Sequence, residues 1–229
     1  MSNESLFVVR ALVDIVLIVF ACRFFGKKGL YAAIAANLIL VSLFGAKLVS
    51  YFGLVTNAGN IFYASVFFAT QLLTEHWGRE EGNKTIGFGI FTLVFYVVLG
   101  FISLYTITVP QTADVAMALE RILSFAPRIV FGSMLAYVVA SWLNIEIYDH
   151  LHQRDGRKRL WLRSFIAILV SQLLDSVIFF TIAFAGSIEV PVLVQTIFVG
   201  FAAKVIVGII AIPFLYGSYR FTLTFAERA

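Results

Sequence analysis

The sequence predicts an all-α polytopic membrane protein with seven transmembrane helices, on three observations. Its 229 residues are 61% hydrophobic and 13% charged, with a mean hydropathy of +0.94. A soluble domain is nearer about half apolar and a quarter charged. The apolar residues gather in stretches of about 20, the length that crosses the hydrocarbon of a bilayer. The cations gather in short loops between those stretches, so the net charge of +4 is not a nucleic-acid footprint.

Hydropathy places the spans at 6–25, 31–52, 60–77, 85–108, 127–148, 161–186 and 192–217. The first is expected to be a retained helix rather than a signal peptide. Its leader Met1-Ser2-Asn3-Glu4-Ser5 is not basic, no small-residue cleavage site follows it, and Lys27-Lys28 comes directly after it. It also carries Asp14, a candidate to pair with a neighbouring helix, and Cys22. A single cysteine excludes an internal disulfide and reads as an apolar packing residue. The second span carries Asn37 and Lys47, the lysine about six residues from the outer end, where it can snorkel. The two longest connections, 109–126 and 149–160, have room for a surface helix or a hairpin but for no catalytic module. The chain thus reads as one membrane domain, 1–229: an extra helix in 1–30, one three-helix half in 31–108 and a second in 109–220.

Charge sets the orientation. One side collects Arg23, Lys27, Lys28, Arg79, Lys84, Arg154, Arg157, Lys158, Arg159, Arg163, Arg220 and Arg228, the other only Arg10, Arg121 and Arg128. The positive-inside rule then puts the N-terminus outside and the C-terminus in the cytoplasm. Trp77, Trp142 and Trp161 fall near the cytoplasmic ends of their spans, as interfacial anchors do. The run Arg154-Asp155-Gly156-Arg157-Lys158-Arg159 reads as a topology determinant against anionic headgroups. His150 and His152 beside Asp149 lack metal-ligand spacing and are expected to be solvated.

A carboxylate near mid-membrane costs about 2.5–3.5 kcal/mol on insertion scales, so Asp175, inside Ser171-Gln172-Leu173-Leu174-Asp175-Ser176, marks a polar site. Lys204 lies about 12 residues into the seventh span and Asp175 about 11 from the outer end of the sixth, depths that agree within a turn. The two can form a structural ion pair, a ligand site, or both. Gln71-Leu72-Leu73-Thr74-Glu75 in the third span echoes Gln172-Leu173-Leu174-Asp175 in the sixth. These are the middle helices of the two halves and cross in opposite directions, as an inverted 3+3 repeat with its site at the repeat interface would have it.

Four motifs in order resemble the queuosine precursor transporter family, also called the vitamin uptake transporter group. Phe67 to Gly78 looks like its Asp-x-x-Thr-Glu-x-aromatic-Gly signature. Pro127-Arg128-Ile129-Val130 with Ser133-Met134-Leu135-Ala136-Tyr137 looks like the second motif. Leu160-Trp161-Leu162-Arg163 followed by Ser171 to Ser176 looks like the third, and Lys204 matches the lysine of the last span. The resemblance covers roughly 35–220. It implies a multi-pass transporter of a prokaryotic inner membrane that imports 7-deazaguanine precursors of queuosine, the cyano (preQ0) and aminomethyl (preQ1) forms. A guanine-like edge offers two adjacent N–H donors to a carboxylate and an oxygen to a lysine or amide. On that reading Glu75 and Asp175 accept from the base edge, Gln71, Gln172 and Lys204 orient it, and Asn37 and Arg128 support them. The sequence departs from the family at Gln71, where an aspartate is usual.

No cofactor and no nucleic acid is expected. The expected partners are the small 7-deazaguanine-like substrate and the bilayer, with room for a homo-oligomer. No nucleophile–base pair or metal cluster points to an enzyme. Two other classes share the size: a substrate-binding subunit of an energy-coupling ATPase transporter, and a retinal-binding photoreceptor. Against the photoreceptor, Gly200 stands one turn before Lys204, where an acidic counter-ion belongs, and no tryptophan lies mid-membrane.

Overall fold

The computed structural model describes residues 2–45, 47–51, 53–123, 127–155 and 158–226. Gly156, Arg157 and Arg228 of the expected basic side lie outside the described residues. Among the described residues the regular structure is helical apart from one small hairpin: α1 Asn3–Phe44, β1 Leu48–Tyr51, β2 Leu54–Asn57, α2 Asn60–Trp77, α3 Arg79–Leu104, α4 Ala113–Leu123, α5 Pro127–Asp155, α6 Leu160–Phe184 and α7 Val190–Ala226. Among the described residues five helices, α1, α3, α5, α6 and α7, are long and apolar enough to cross a membrane.

Helix α1 starts on Ser2, whose hydroxyl accepts from the Ser5 amide, and breaks at Gly26. Gly26 has φ 58° and ψ −141°, a conformation glycine adopts without the steric cost of a Cβ. The break folds the helix back on itself. Asn37 donates to the Asp14 carboxylate at 3.2 Å, although 23 residues of continuous helix would hold them about 34 Å apart. Two antiparallel arms, 3–25 and 27–44, therefore stand where the first two spans are expected. Ala11, Asp14, Ile15, Ile18 and Cys22 of the first arm are buried at helical spacing, while Val13, Leu17, Phe20 and Phe24 are exposed on the other side, as a lipid-facing stripe would be.

The second expected span, 31–52, is too long. The helix ends at Phe44, and Leu48–Tyr51 pairs antiparallel with Leu54–Asn57 around a turn with Gly53 at φ 77°. β1 alternates exposed and half-buried residues and β2 buries only Thr56, as a ribbon at the surface does, but the leucines, valines and tyrosine read as span in a hydropathy window. Lys47 consequently sits outside the helix and exposed.

Helix α2 has the bounds expected for the third span. It is not among the five helices long and apolar enough to cross a membrane, and its polar residues lie inside the bundle: Asn60, Ser65, Thr70, Gln71 and Thr74 are all buried, on a helix packed against α1, α3, α5 and α7. A glycine sets the approach of α5 to α3. Tyr137 donates to the Thr85 carbonyl at 2.9 Å, and a Cβ on Gly89 would overlap its hydroxyl. The connection 109–126 carries the surface helix α4, as its length allowed. Trp142 and Trp161 are half exposed near the end of the bundle that holds Lys27, Lys28, Arg79 and Lys84. We call that the basic end, and the opposite one the hairpin end.

Candidate functional site

A cavity of about 760 Å³ reaches from the hairpin end into the bundle, lined by α1, the hairpin and α2 to α7. Its deep charged groups are Asp175 and Lys204, 2% and 3% exposed. Lys204 Nζ donates to Asp175 Oδ2 at 2.5 Å and to the Ser176 hydroxyl at 3.2 Å. The Tyr63 hydroxyl donates to Asp175 Oδ1 at 2.5 Å, and the Lys204 ammonium stands 4.9 Å from the centre of the Tyr63 ring. Both carboxylate oxygens are thus occupied by side chains from α2 and α7, and each donor group also lines the cavity. A buried pair of this kind gains from mutual attraction what it loses in hydration only while both partners stay. Phe179, Phe180 and Phe184 supply apolar wall, and Asn60, Gln195 and Arg121 supply polar groups.

Gln71 lies deeper and does not line the cavity. Its carbonyl accepts from the Ser164 hydroxyl at 2.6 Å, and its amide nitrogen donates to Asn144 Oδ1 and the Ser164 carbonyl, both at 3.4 Å. Asn144 donates onward to Ser171 at 3.0 Å. An amide can serve both roles in this ladder across α2, α5 and α6, where a carboxylate could only accept. Gln172 is fully buried, and neither its Nε2 nor its Oε1 has a hydrogen-bond partner among the described residues.

Glu75 belongs to a different cluster. Its side chain is 1% exposed and sits near the basic end. Arg163, 2% exposed, donates to it at 2.5 Å, Tyr148 at 2.6 Å, and Tyr219 as well, while His152 Nδ1 lies 3.3 Å from Oε2. Four helices, α2, α5, α6 and α7, meet on this one carboxylate. Twelve residues of α2 separate Tyr63 from Glu75, about 18 Å of helix, which is more than one fused bicyclic base can span. The two carboxylates expected to share a base edge therefore lie in separate places.

The remaining expected residues are also outside the cavity lining. Asn37 binds Asp14 within α1. Arg128 donates to the carbonyls of Ile182 and, at 2.6 Å, of Ala185, so it caps the C-terminal end of α6. Arg163, counted among the loop cations, is buried, and His152, expected to be solvated, joins Glu75. Tyr63 and Asn60 were not expected at the site, and Arg121 was expected only as a cation of the outer side. Tyr63 lies two turns before Gln71 on the helix already marked as polar, which was the available signal.

A deep cavity ending on a carboxylate whose two donors can transfer to a ligand is suited to binding a small polar molecule with apolar faces. The family model described as "Putative vitamin uptake transporter" matches residues 57–217. The chain is similar to a protein of Bacillus subtilis named "Probable queuosine precursor transporter", 31% identical over 224 residues and 96% of each chain. It is also similar to a protein of the same name from Haemophilus influenzae, 28% identical over 166 residues, 69% of this chain and 66% of that one. No solved structure matches it significantly. A relative aligned end to end and a family match over the bundle that holds both charge clusters together settle the assignment: the chain belongs to the vitamin uptake transporter family, whose members include the probable queuosine precursor transporters.

Proposed function

We propose that this chain imports a 7-deazaguanine precursor of queuosine across the cytoplasmic membrane of a prokaryote, by alternating access around the Asp175–Lys204 site. The observation that carries the proposal is the pairing of an accessible and a sealed charge cluster on one central helix. Tyr63 of α2 reaches the cavity carboxylate, and Glu75 of α2 closes the bundle beyond it. In the bound state Asp175 accepts the two adjacent N–H groups of the guanine-like edge, and Lys204 turns from Asp175 to the exocyclic oxygen. Asp175 and Lys204 each keep a charged hydrogen bond in that state, so binding does not strand a buried charge. Phe180 and its neighbours face the planar ring. Gln172, with no partner among the described residues, meets the ligand as it moves inward.

The membrane geometry is part of the same proposal. Taking the arms of α1 separately gives seven passes: two from α1, then α2, α3, α5, α6 and α7. The charge count puts the hairpin end outside, so the cavity is the outward-facing state and the Glu75 cluster is the closed cytoplasmic gate. The two halves, 31–108 and 109–220, contribute α2 and α6 as their corresponding helices. The chain performs no chemistry on its cargo. A strain unable to make its own precursors, expressing this chain, should recover queuosine-modified tRNA when fed precursor at micromolar concentration or below. Absence of rescue with verified membrane insertion would overturn the cargo.

A further inference from the structure

Three buried oxygens that belong to neither charge cluster meet where the two arms of α1 pack on α2. Asp14 of the first arm, Asn37 of the second and Ser65 of α2 are 9%, 4% and 0% exposed. Asn37 Nδ2 donates to Asp14 Oδ1 at 3.2 Å and to the Ala33 carbonyl at 3.1 Å. With two acceptors against its nitrogen the amide cannot be turned over, so Asn37 Oδ1 is fixed as the free atom. Among the described residues no partner stands at close hydrogen-bond geometry to Asp14 Oδ2, Asn37 Oδ1 or Ser65 Oγ. Ser65 faces the Asp14 carboxylate as a looser hydrogen-bond partner, and Arg10 acts on it by charge. Arg10 is not the missing partner: it donates to the Ala58 carbonyl at 3.2 Å and lies 5.0 Å from the centre of the Phe62 ring.

We propose that Asp14, Asn37 and Ser65 form a binding site for Na⁺. Carboxylate, amide carbonyl and hydroxyl are the hard oxygen ligands that such cations take, and the set has no nitrogen or sulfur to favour a transition metal. One carboxylate balances one positive charge, whereas a divalent ion would leave an excess charge in an apolar bundle. A proton binds one oxygen and leaves the other two as they are; an ion coordinates all three. Occupancy ties both arms of α1 to α2 two residues from Tyr63, which holds the cavity carboxylate. Its part in uptake, as the coupling ion, rests on the import reading; Na⁺ binding itself does not.

The test is thermal unfolding of the purified full-length chain in NaCl, KCl or choline chloride, at constant pH and ionic strength. Na⁺ alone should raise the unfolding temperature, saturably, as a ligand of the folded state does. Asp14→Asn should abolish the response. Ser65→Ala should move half-saturation to about tenfold higher Na⁺, the loss of one ligand worth ~1.4 kcal/mol. A deazaguanine-induced rise that persists in Asp14→Asn separates this site from the cargo site. Equal unfolding temperatures in the three salts would overturn the proposal, as would a Na⁺ response untouched by Asp14→Asn. Stabilisation that follows pH and ignores Na⁺ would assign the carboxylate to a proton and also overturn it. If Asp14→Asn does not fold, the salt comparison and Ser65→Ala decide alone.

Discussion

Arg163 of α6 and Glu75 of the central helix α2 meet at 2.5 Å, both almost fully buried, at the end remote from the cavity. Tyr148 and Tyr219 complete the carboxylate from two more helices. Removing one member leaves a bare buried charge, whereas removing both leaves none. Glu75→Gln and Arg163→Gln should each destabilise the protein, by about 3–5 kcal/mol. The double variant should recover much of that, which thermal unfolding in a double-mutant cycle measures. Additive losses would show that the two side chains act independently and would remove the gate.

Asp175 makes the opposite demand, because its donors are to be exchanged for ligand. Charged hydrogen bonds contribute about 1.5–3 kcal/mol each, so Asp175→Asn should weaken precursor binding by roughly 10- to 150-fold for each bond lost and abolish rescue at micromolar feed. Tyr63→Phe should keep the site, since Lys204 still neutralises Asp175, and change affinity less. Binding of labelled precursor to purified variants reads both effects. Full affinity in Asp175→Asn would remove the carboxylate from the site.

Gly200 tests the shape of the cavity rather than its charge. A Cβ there would stand 2.8 Å from the Phe180 ring and 3.9 Å from Asn60 Nδ2, both lining groups. Gly200→Ala should force Phe180 aside, costing about 1–3 kcal/mol of stability as overpacking does, and raise the KM for uptake. Uptake assays alongside thermal unfolding separate the two effects. An unchanged KM in a variant that has lost stability would show that cargo does not pass this wall.

The bounds of α2 were legible because hydropathy is set by the membrane, and the common depth of Asp175 and Lys204 needed only helix rise and two span ends. Whether that depth meant an ion pair, a ligand site or both stayed open until the 2.5 Å contact was seen. The hairpin was not legible: Leu48, Val49 and Tyr51 are as apolar as a helix, and only the turn at Gly53 distinguishes them. Nor was the separation of Glu75 from Asp175, since sequence spacing gives position along a helix but not which neighbours close on it. Arg163 shows the same limit. A cation just inside a span counts toward topology whether it faces lipid headgroups or, as here, turns inward to a buried glutamate.

The charge of the cavity discriminates between cargo forms. Its charged lining among the described residues is Asp175, Lys204 and Arg121, one negative and two positive. Asp175 and Lys204 neutralise one another at 2.5 Å, so the surplus belongs to Arg121, in the last turn of α4. A neutral cyano-deazaguanine meets no penalty from that charge. An aminomethyl form carries an ammonium of the same sign into a partly apolar space, where screening is weaker than in bulk water. The neutral form should bind at least about tenfold more tightly, a difference of ~1.4 kcal/mol. Arg121→Gln should narrow the gap and Arg121→Glu should close or reverse it, without lowering affinity for the neutral form. Competition between the two compounds for the purified chain measures the ratio. Equal affinities in the unaltered chain, or a preference that ignores the charge at 121, would show that the exocyclic substituent lies away from α4.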